Sequence, residues 1–555
     1  AHDMDLSDEL TARDGFKKVI KAPAQETEFF IQDCPADRVA RIIEPKKLAD
    51  LGAVSVYDMG ENISGYPVVA ATEDGAYITV RCSEEINADG TLNFDSCDPG
   101  QIQCDEYRNA KKGEECMPWF TWHGFRYFEL TNNAKPVRCE VVHSDCAVTS
   151  AFESDSEMLN WLYDAYIRTQ LSNMHSGVPS DCPHIERLGY TGDGQLCCEA
   201  AMMLLDSQKF YQKWLEDISD CQSTDNGHVQ HTAPFMGGGG GPAGWGGAIA
   251  VVPYEMYKIY GDRETFRRYL PKILRYFDYL DSRSSGGLVC REEQGGWCLG
   301  DWCTPEPIAI CEPFVNTALY VKQMLMTKEA AEAIGENETA QMLGRRIEEK
   351  RQAILNAYYS PQTGSFIGDV QGANSFATDI GLGGERAYEN TRKKYSAADS
   401  FDTGIFGTDI LIRVLFERGD ANTAFRLLTS EGKGSFYNMK KQGATTIWEN
   451  WDGERSNSHP MFGAATRYLF SFILGITQEK TSAGYEHILI APQIPDGLNY
   501  ASGHITTVRG KISVTFKRTE SEADFYVTVP QRARFTYGSG CEFELRDGEN
   551  HIHID

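Results

Sequence analysis

Residues 180–195 read SDCPHIERLGYTGDGQ, setting three carboxylates, Asp181, Glu186 and Asp193, among cysteine, proline, glycine and aromatic residues. Acids gathered among turn-formers can give and take protons at a bond held between them, which is the work of general acid and base catalysis. Asp181 and Asp193 could each cap a helix instead, because aspartate accepts amide hydrogens and suits the dipole at a helix N-terminus. Arg187 and Tyr190 in the same window favour a site for the group as a whole.

A second acid lies far downstream in GATTIWENWDGERSNSHPMFG, where Glu449 sits between Trp448 and Trp451. Apolar walls can hold a carboxylate there and a sugar ring can stack on indole, although a solvated glutamate is the plainer reading of Glu449 alone. Between the acidic segments, GGGGGPAGWGG and GGWCLGDWCTPE bring Trp245, Trp297, Trp302 and Asp301, the aromatic and acidic groups of a carbohydrate pocket. No Gly-Lys-Ser/Thr follows the glycine run and no GxGxxG leads a strand into a helix, so the run reads as a mobile or tightly turning loop and not a phosphate cradle. GxSxG and catalytic Cys-His signatures are absent, which leaves the two-carboxylate chemistry standing. Cys290, Cys298, Cys303 and Cys311 cluster, but without the close CxxC pairs of structural zinc sites or an HExxH, so neither a metal nor a cofactor is expected.

Elements must hold these groups in place. At 555 residues the chain exceeds one ordinary core. The first ~145 residues alternate apolar and polar side chains, as in AYITVRCSEEI and WHGFRYFELT, with YDMGENISGYPVVAA, EDGAY and ADGTL as turns, and predict a β-sandwich. From Phe152 to about Thr477 the period becomes that of amphipathic helices, with Ser154 the expected N-cap of the first. Ten to twelve helices in hairpins predict an (α/α)6 toroid whose loops form a cup. From about Ile488 strands return as a small terminal β-sandwich. The expected domains are 1–148, 149–480 and 481–555.

The formal charge of −27 repels phosphate backbones and anionic lipid, so neither nucleic acid nor membrane is an expected partner. Homo-oligomerisation is left open. Sixteen cysteines in a chain this long suggest thiols in a reducing, cytoplasmic compartment, with a periplasmic or secreted location as the alternative if a leader has been removed.

DCPHIERLGYTGDGQ resembles the signature of bacterial α-L-rhamnosidases of glycoside hydrolase family 78. YDMGENISGY and WHGFRYFEL resemble that family's preceding β-domain, GDW and GATTIWENWDG its later catalytic elements, and PQIPDGLNYASGHITTVRGKISVTF its closing β-domain. The resemblance implies an (α/α)6 catalytic domain flanked by β-sandwiches, with Glu186 as general acid and Glu449 as general base acting on a rhamnose-containing glycan or glycoside. It further implies that Asp181 and Asp193 hold sugar hydroxyls, that Tyr190, Trp245 and Trp302 wall the pocket, and that His459 lines it; Arg187, Asp301 and Trp448 join the expected substrate-binding set. Such chemistry inverts the anomeric centre with carboxyls ~6.5–9.5 Å apart. The chain departs from the pattern at Gly247, where an aspartate often follows the pocket tryptophan, and at His184, Ile185 and Tyr190. Two rivals remain: a polysaccharide lyase using Tyr190, His459 and Arg187, and a carbohydrate-binding relative without turnover.

Overall fold

The computed structural model describes residues 2–5, 31–97, 100–538 and 540–554. By contact the chain divides into two units, Ala1–Asp145 with Pro183–Ile185, and Cys146–Cys182 with Glu186–Asp555.

In the first unit, strands build a nine-stranded sheet in which Val54–Ala71 runs antiparallel to His123–Thr131 on one side and Ala134–Ser144 on the other. That strand absorbs YDMGENISGYPVVAA, which was expected to supply turns. The glycines serve another purpose: a Cβ at Gly65 would lie 1.9 Å from the Glu140 carbonyl oxygen, so glycine lets the neighbouring strand approach while the chain runs on.

The second unit carries thirteen α-helices among the described residues. They are α1 (Glu157–Ser172), α2 (Thr191–Leu204), α3 (Gln208–Asp220), α4 (Pro242–Gly246), α5 (Ala248–Tyr260), α6 (Arg263–Ser282), α7 (Glu312–Ala333), α8 (Asn337–Tyr358), α9 (Ala373–Asp379), α10 (Gly384–Tyr395), α11 (Ile405–Glu417), α12 (Ala421–Leu428) and α13 (Phe436–Lys441). The N-cap of α1 is Ser156, whose hydroxyl accepts the Leu159 amide; the expected cap, Ser154, instead ends the strand Ser150–Ser154 and binds Asn160. PMFGAATRYLFSFILGI, expected as an ordinary helix, winds as a 3-10 turn over Met461–Thr466 and a π turn over Leu469–Ile473.

Neighbour contacts run from α2 to α5, α7, α9 and α11, then to the 461–466 turn and back to α2. Burial explains which helices take this inner course. α11 is buried on nearly every face, whereas α8, packed outside α7, buries Ala340, Leu343, Ile347, Lys350 and Ile354, one stripe at three- and four-residue spacing. Strand Ser150–Ser154 pairs with Tyr500–Thr507 at the edge of a five-stranded sheet, so a segment preceding the helices completes the C-terminal β structure. A four-stranded sheet joins Ile476–Gln478, Ile488–Ile490, Ala533–Tyr537 and Cys541–Leu545. Among the described residues no helix is long and apolar enough to cross a membrane.

Buried ion pairs tie the inner helices together. Arg467 reaches Asp409 of α11 and Glu199 of α2, each at 2.7 Å, and Asp379 of α9 pairs with Lys322 of α7 at 2.9 Å and Arg413 of α11 at 2.8 Å. Removing Arg467 leaves the buried Asp409 carboxylate without the cation it pairs with. Arg467→Met is therefore expected to cost about 3–5 kcal/mol, read as a fall in the unfolding transition of the helical circular-dichroism signal. A loss below about 1 kcal/mol would show that Asp409 was not relying on Arg467.

Candidate active site

Asp181 ties its own segment into a closed loop. Its amide donates to the Leu188 carbonyl at 3.0 Å, its carboxylate accepts the Leu188 amide at 2.9 Å, and the Cys182 thiol donates to its other oxygen at 2.9 Å. At the far end of that loop Glu186 and Arg187 have φ of 36° and 55°, left-handed values that non-glycine residues adopt at a cost. Such strain in consecutive charged residues marks a segment shaped for something other than its own stability.

Glu186 faces Arg455, whose Nη2 lies 2.9 Å from Oε1, and the Tyr190 hydroxyl also bonds to it. The same guanidinium reaches Glu449: its Nε is 3.8 Å from Glu449 Oε1. A second closed loop holds Glu449, because its amide donates to the Ser456 carbonyl at 2.9 Å while Oε2 accepts the Ser456 amide at 3.2 Å. Arg455 itself has φ of 67°. The sequence reading missed this arginine, although it stands in the segment quoted for Glu449, because nothing in a linear pattern tells which cation will face two distant acids.

Asp193 occupies the first turn of α2 and is buried, with His459 Nε2 at 3.5 Å. Burial, reinforced by the charges of Glu449 and Glu186, pushes its carboxyl up to about 7. Burial likewise lifts Asp181 well above the usual carboxylate range, with Glu186 and Asp193 adding to it. The Tyr190 hydroxyl is pushed up by burial and by the negative charge of Glu186 and Asp181. Cys303, φ 58°, joins this neighbourhood, its thiol raised by burial and by Glu449 and Asp193.

The glycines, expected to break helix in 180–195 and to form a mobile or tightly turning loop at 237–241, have steric work. Gly192 and Gly194 lie inside α2, where a Cβ would meet the Trp245 ring at 2.7 Å and the Trp214 ring at 2.2 Å. Along the glycine run, a Cβ would strike Tyr190 from Gly238, Trp297 from Gly239 and Trp245 from Gly240. The run is a flat strip on which three aromatic rings lie.

Other expected site residues are placed differently. Asp301, expected among the sugar-binding groups, is fully buried, and its two oxygens accept the amides of Gly404, Phe406 and Gly407 at 2.7, 2.9 and 3.1 Å. It caps the start of α11, with both oxygens taken by these amides. Trp302 is half-exposed and gives its carbonyl to the Ile405 amide. Trp448 is buried over Gly453, while Trp451, the other tryptophan beside Glu449, stacks on Phe401 at 5.3 Å as core. Arg187 is half-buried beside Glu186. The structure thus brings together Asp181, Glu186, Tyr190, Asp193, Trp245, Glu449 and His459, adds Arg455 and Cys303, and sets Asp301 apart as a cap.

Two glutamates on separate closed loops face one arginine, beside buried aspartates and an aromatic strip, the groups that acid–base chemistry on a sugar would need. Comparison with known proteins agrees. Residues 147–473 match the bacterial alpha-L-rhamnosidase six-hairpin glycosidase domain, residues 50–148 its concanavalin-like domain and residues 475–536 its C-terminal domain. The chain belongs to the bacterial α-L-rhamnosidase six-hairpin glycosidase family. An α-L-rhamnosidase of Streptomyces avermitilis is 29% identical over 93% of this chain and 53% of its own length, and one from an Alteromonas species is 28% identical over 86% and 54%. The crystal structure of a Streptomyces avermitilis α-L-rhamnosidase complexed with L-rhamnose superposes with a TM-score of 0.85 at 26% identity, over 94% of this chain and 54% of that one. The chain therefore spans about half the length of the curated relatives it matches.

Because Asp193 holds its proton more tightly when folded than when unfolded, the stability it contributes is present at low pH and lost as pH rises toward 7. Asp193→Asn removes that dependence. Its stability relative to the parent should grow from about pH 4 to pH 7 and then level off, with a ceiling of about 4 kcal/mol. A difference that stays flat across that range in thermal melts would show an ordinary carboxyl at Asp193.

Proposed function

We propose that this chain is an inverting, exo-acting α-L-rhamnosidase that releases terminal L-rhamnose from a glycan or glycoside. The observation that carries the reading is Arg455: one guanidinium reaching Glu186 at 2.9 Å and Glu449 at 3.8 Å leaves those two oxygens at most roughly 9 Å apart. That ceiling is compatible with a water fitting between a sugar and the base of an inverting enzyme. In this reading sugar entry draws Arg455 off Glu186, Glu186 donates its proton to the glycosidic oxygen, and Glu449 takes a proton from water attacking the opposite face. Asp193 and His459 hold sugar hydroxyls, Asp181, whose two oxygens are bonded within its own loop, positions that loop instead of holding the expected hydroxyl, and Tyr190 and Trp245 flank the ring. Family membership and the rhamnose-bound relative support rhamnose as the sugar. Exposed Phe235, Met236 and Trp297, on and beside the glycine strip, support an apolar or aryl aglycone.

The finer architecture belongs to the same proposal. An (α/α)6 toroid is supported by the neighbour contacts that return to α2, and flanking β-sandwiches by the strand-rich segments on either side. A reducing compartment is supported by cysteines that are all thiols.

Proton NMR from the first minutes of cleavage of an aryl α-L-rhamnoside should show the β-anomer of rhamnose appearing first; the α-anomer would sink the inverting mechanism. Glu449→Gln should lose about 10²–10⁴-fold in kcat while still binding rhamnose. Glu186→Gln should lose more on alkyl rhamnosides than on aryl rhamnosides with good leaving groups, where protonation matters less. Equal losses on both substrates would remove Glu186 from the acid role.

A further inference from the structure

Away from the glutamates, two histidines and one acid meet where the segment leading to the glycine strip passes the segment leading to Trp297. His228, His231 and Glu292 are all buried, and one ligand atom from each lies within 4.8 Å of the others. His231 Nε2 is 3.0 Å from Glu292 Oε2. His228 Nε2 lies 3.4 Å from Glu292 Oε1 but without hydrogen-bond geometry, so a nitrogen more than nine-tenths buried is aimed at this cluster and left unsatisfied. Glu292 is held from behind, since the Tyr279 hydroxyl and the Glu293 amide, the latter at 2.9 Å, both donate to Oε1.

We propose that His228, His231 and Glu292 bind one divalent transition-metal ion of the zinc class, with water completing the shell. An ion with legs of about 2.0–2.1 Å in tetrahedral geometry sets neighbouring donors roughly 3.3 Å apart; His231 approaches Oε2 at 3.0 Å and His228 approaches Oε1 at 3.4 Å, and one ligand atom from each of the three residues lies within 4.8 Å of the others, so a small inward shift of the donors would close the shell. Two imidazole nitrogens with one carboxylate suit zinc or cobalt, whereas calcium and magnesium take oxygen shells. Tyr279 and the Glu293 amide supply the outer bonds that orient a ligating carboxylate. A hydrogen-bonded His–Glu–His cluster explains His231 well but leaves His228 Nε2 with only a long, poorly aligned approach to Oε1; an ion would satisfy all three groups.

The site's place in the chain gives the ion a structural role. The His231 carbonyl accepts the amide of Thr191, the first residue of α2, and the Ala233 amide donates to Gly189 at 2.9 Å. Asn226 bonds to Glu293, next to Glu292, at 2.8 Å. An ion here staples the segment before the glycine strip to the segment before Trp297, and both to the start of the helix that carries Asp193.

The test is titration of the chelator-stripped full chain with cobalt(II) and with zinc in a non-coordinating buffer, followed by visible absorption, equilibrium dialysis with elemental analysis, and thermal melts. One equivalent should bind, with d–d bands of a nitrogen and oxygen shell, no near-ultraviolet thiolate band and a rise in unfolding temperature. The thiolate band matters because sixteen cysteines offer competing ligands. His228→Gln and His231→Gln should abolish uptake and the thermal shift, and Tyr279→Phe should weaken binding about 10- to 100-fold. Circular dichroism shows whether each variant is folded, and the parent titration stands without them. Absence of stoichiometric uptake in excess metal, a thiolate spectrum, or uptake unchanged in both histidine variants would overturn the proposal.

Discussion

Asp181, Glu186, Asp193 and Glu449 sit close enough that like-charge repulsion adds to burial at the two aspartates, which hold their protons above the usual range. Carboxylates cannot be crowded into a cup unless something answers that repulsion. The chain answers in three ways. Backbone amides of Leu188 and Ser456 bond to Asp181 and Glu449, the Cys182 thiol donates to Asp181, and one guanidinium spans Glu186 and Glu449. Each answer is local in sequence except the last, and the last joins segments 269 residues apart.

The aromatic side of the site follows from a different constraint. Rings can lie flat on backbone only where no Cβ intervenes, so three consecutive glycines, Gly238 to Gly240, receive Tyr190, Trp297 and Trp245 in turn. Trp245 is fixed from both sides, by that strip and by Gly192 of α2. A substitution in the run would lift a ring off its floor and move the wall beside Asp193, so of the two expectations for this segment, mobile or tightly turning, the close ring contacts favour the second.

The order of β, helical and β segments was legible because side-chain period changes from two to three or four near Phe152 and back near Ile488, and burial imposes those periods whatever the final packing. The acids of 180–195 and Glu449 were legible as a group because turn-formers and aromatics rarely surround so many carboxylates by chance. Arg455 was not, since its importance lies in a contact across the fold. Nor was the role of Asp301, because an aspartate beside tryptophan reads alike as a sugar ligand or as a cap until its hydrogen-bond partners are known. The cap at Ser156 in place of Ser154 turned on a similar point: Ser154 was claimed by a strand that pairs with Ala501, far outside any local window.

Gly247 and Asp301 show how residues outside the cup still shape it. A Cβ at Gly247 would meet Gln323 Nε2 at 2.0 Å and the Ala243 carbonyl at 2.5 Å, so the position points toward α7, where Gln323 bonds Ala243 at 2.9 Å. Glycine at 247 leaves room for the Gln323 amide of α7, and a side chain there would need Gln323 to move. Asp301 acts along a comparable chain of contacts. It holds the amides of Gly404, Phe406 and Gly407, which presents Phe406 edge-on to Trp245 at 5.7 Å, and Trp245 in turn rests on Gly192, one residue from Asp193. A carboxylate whose oxygens are taken by backbone amides therefore bears on the wall beside Asp193 through the position of an indole ring.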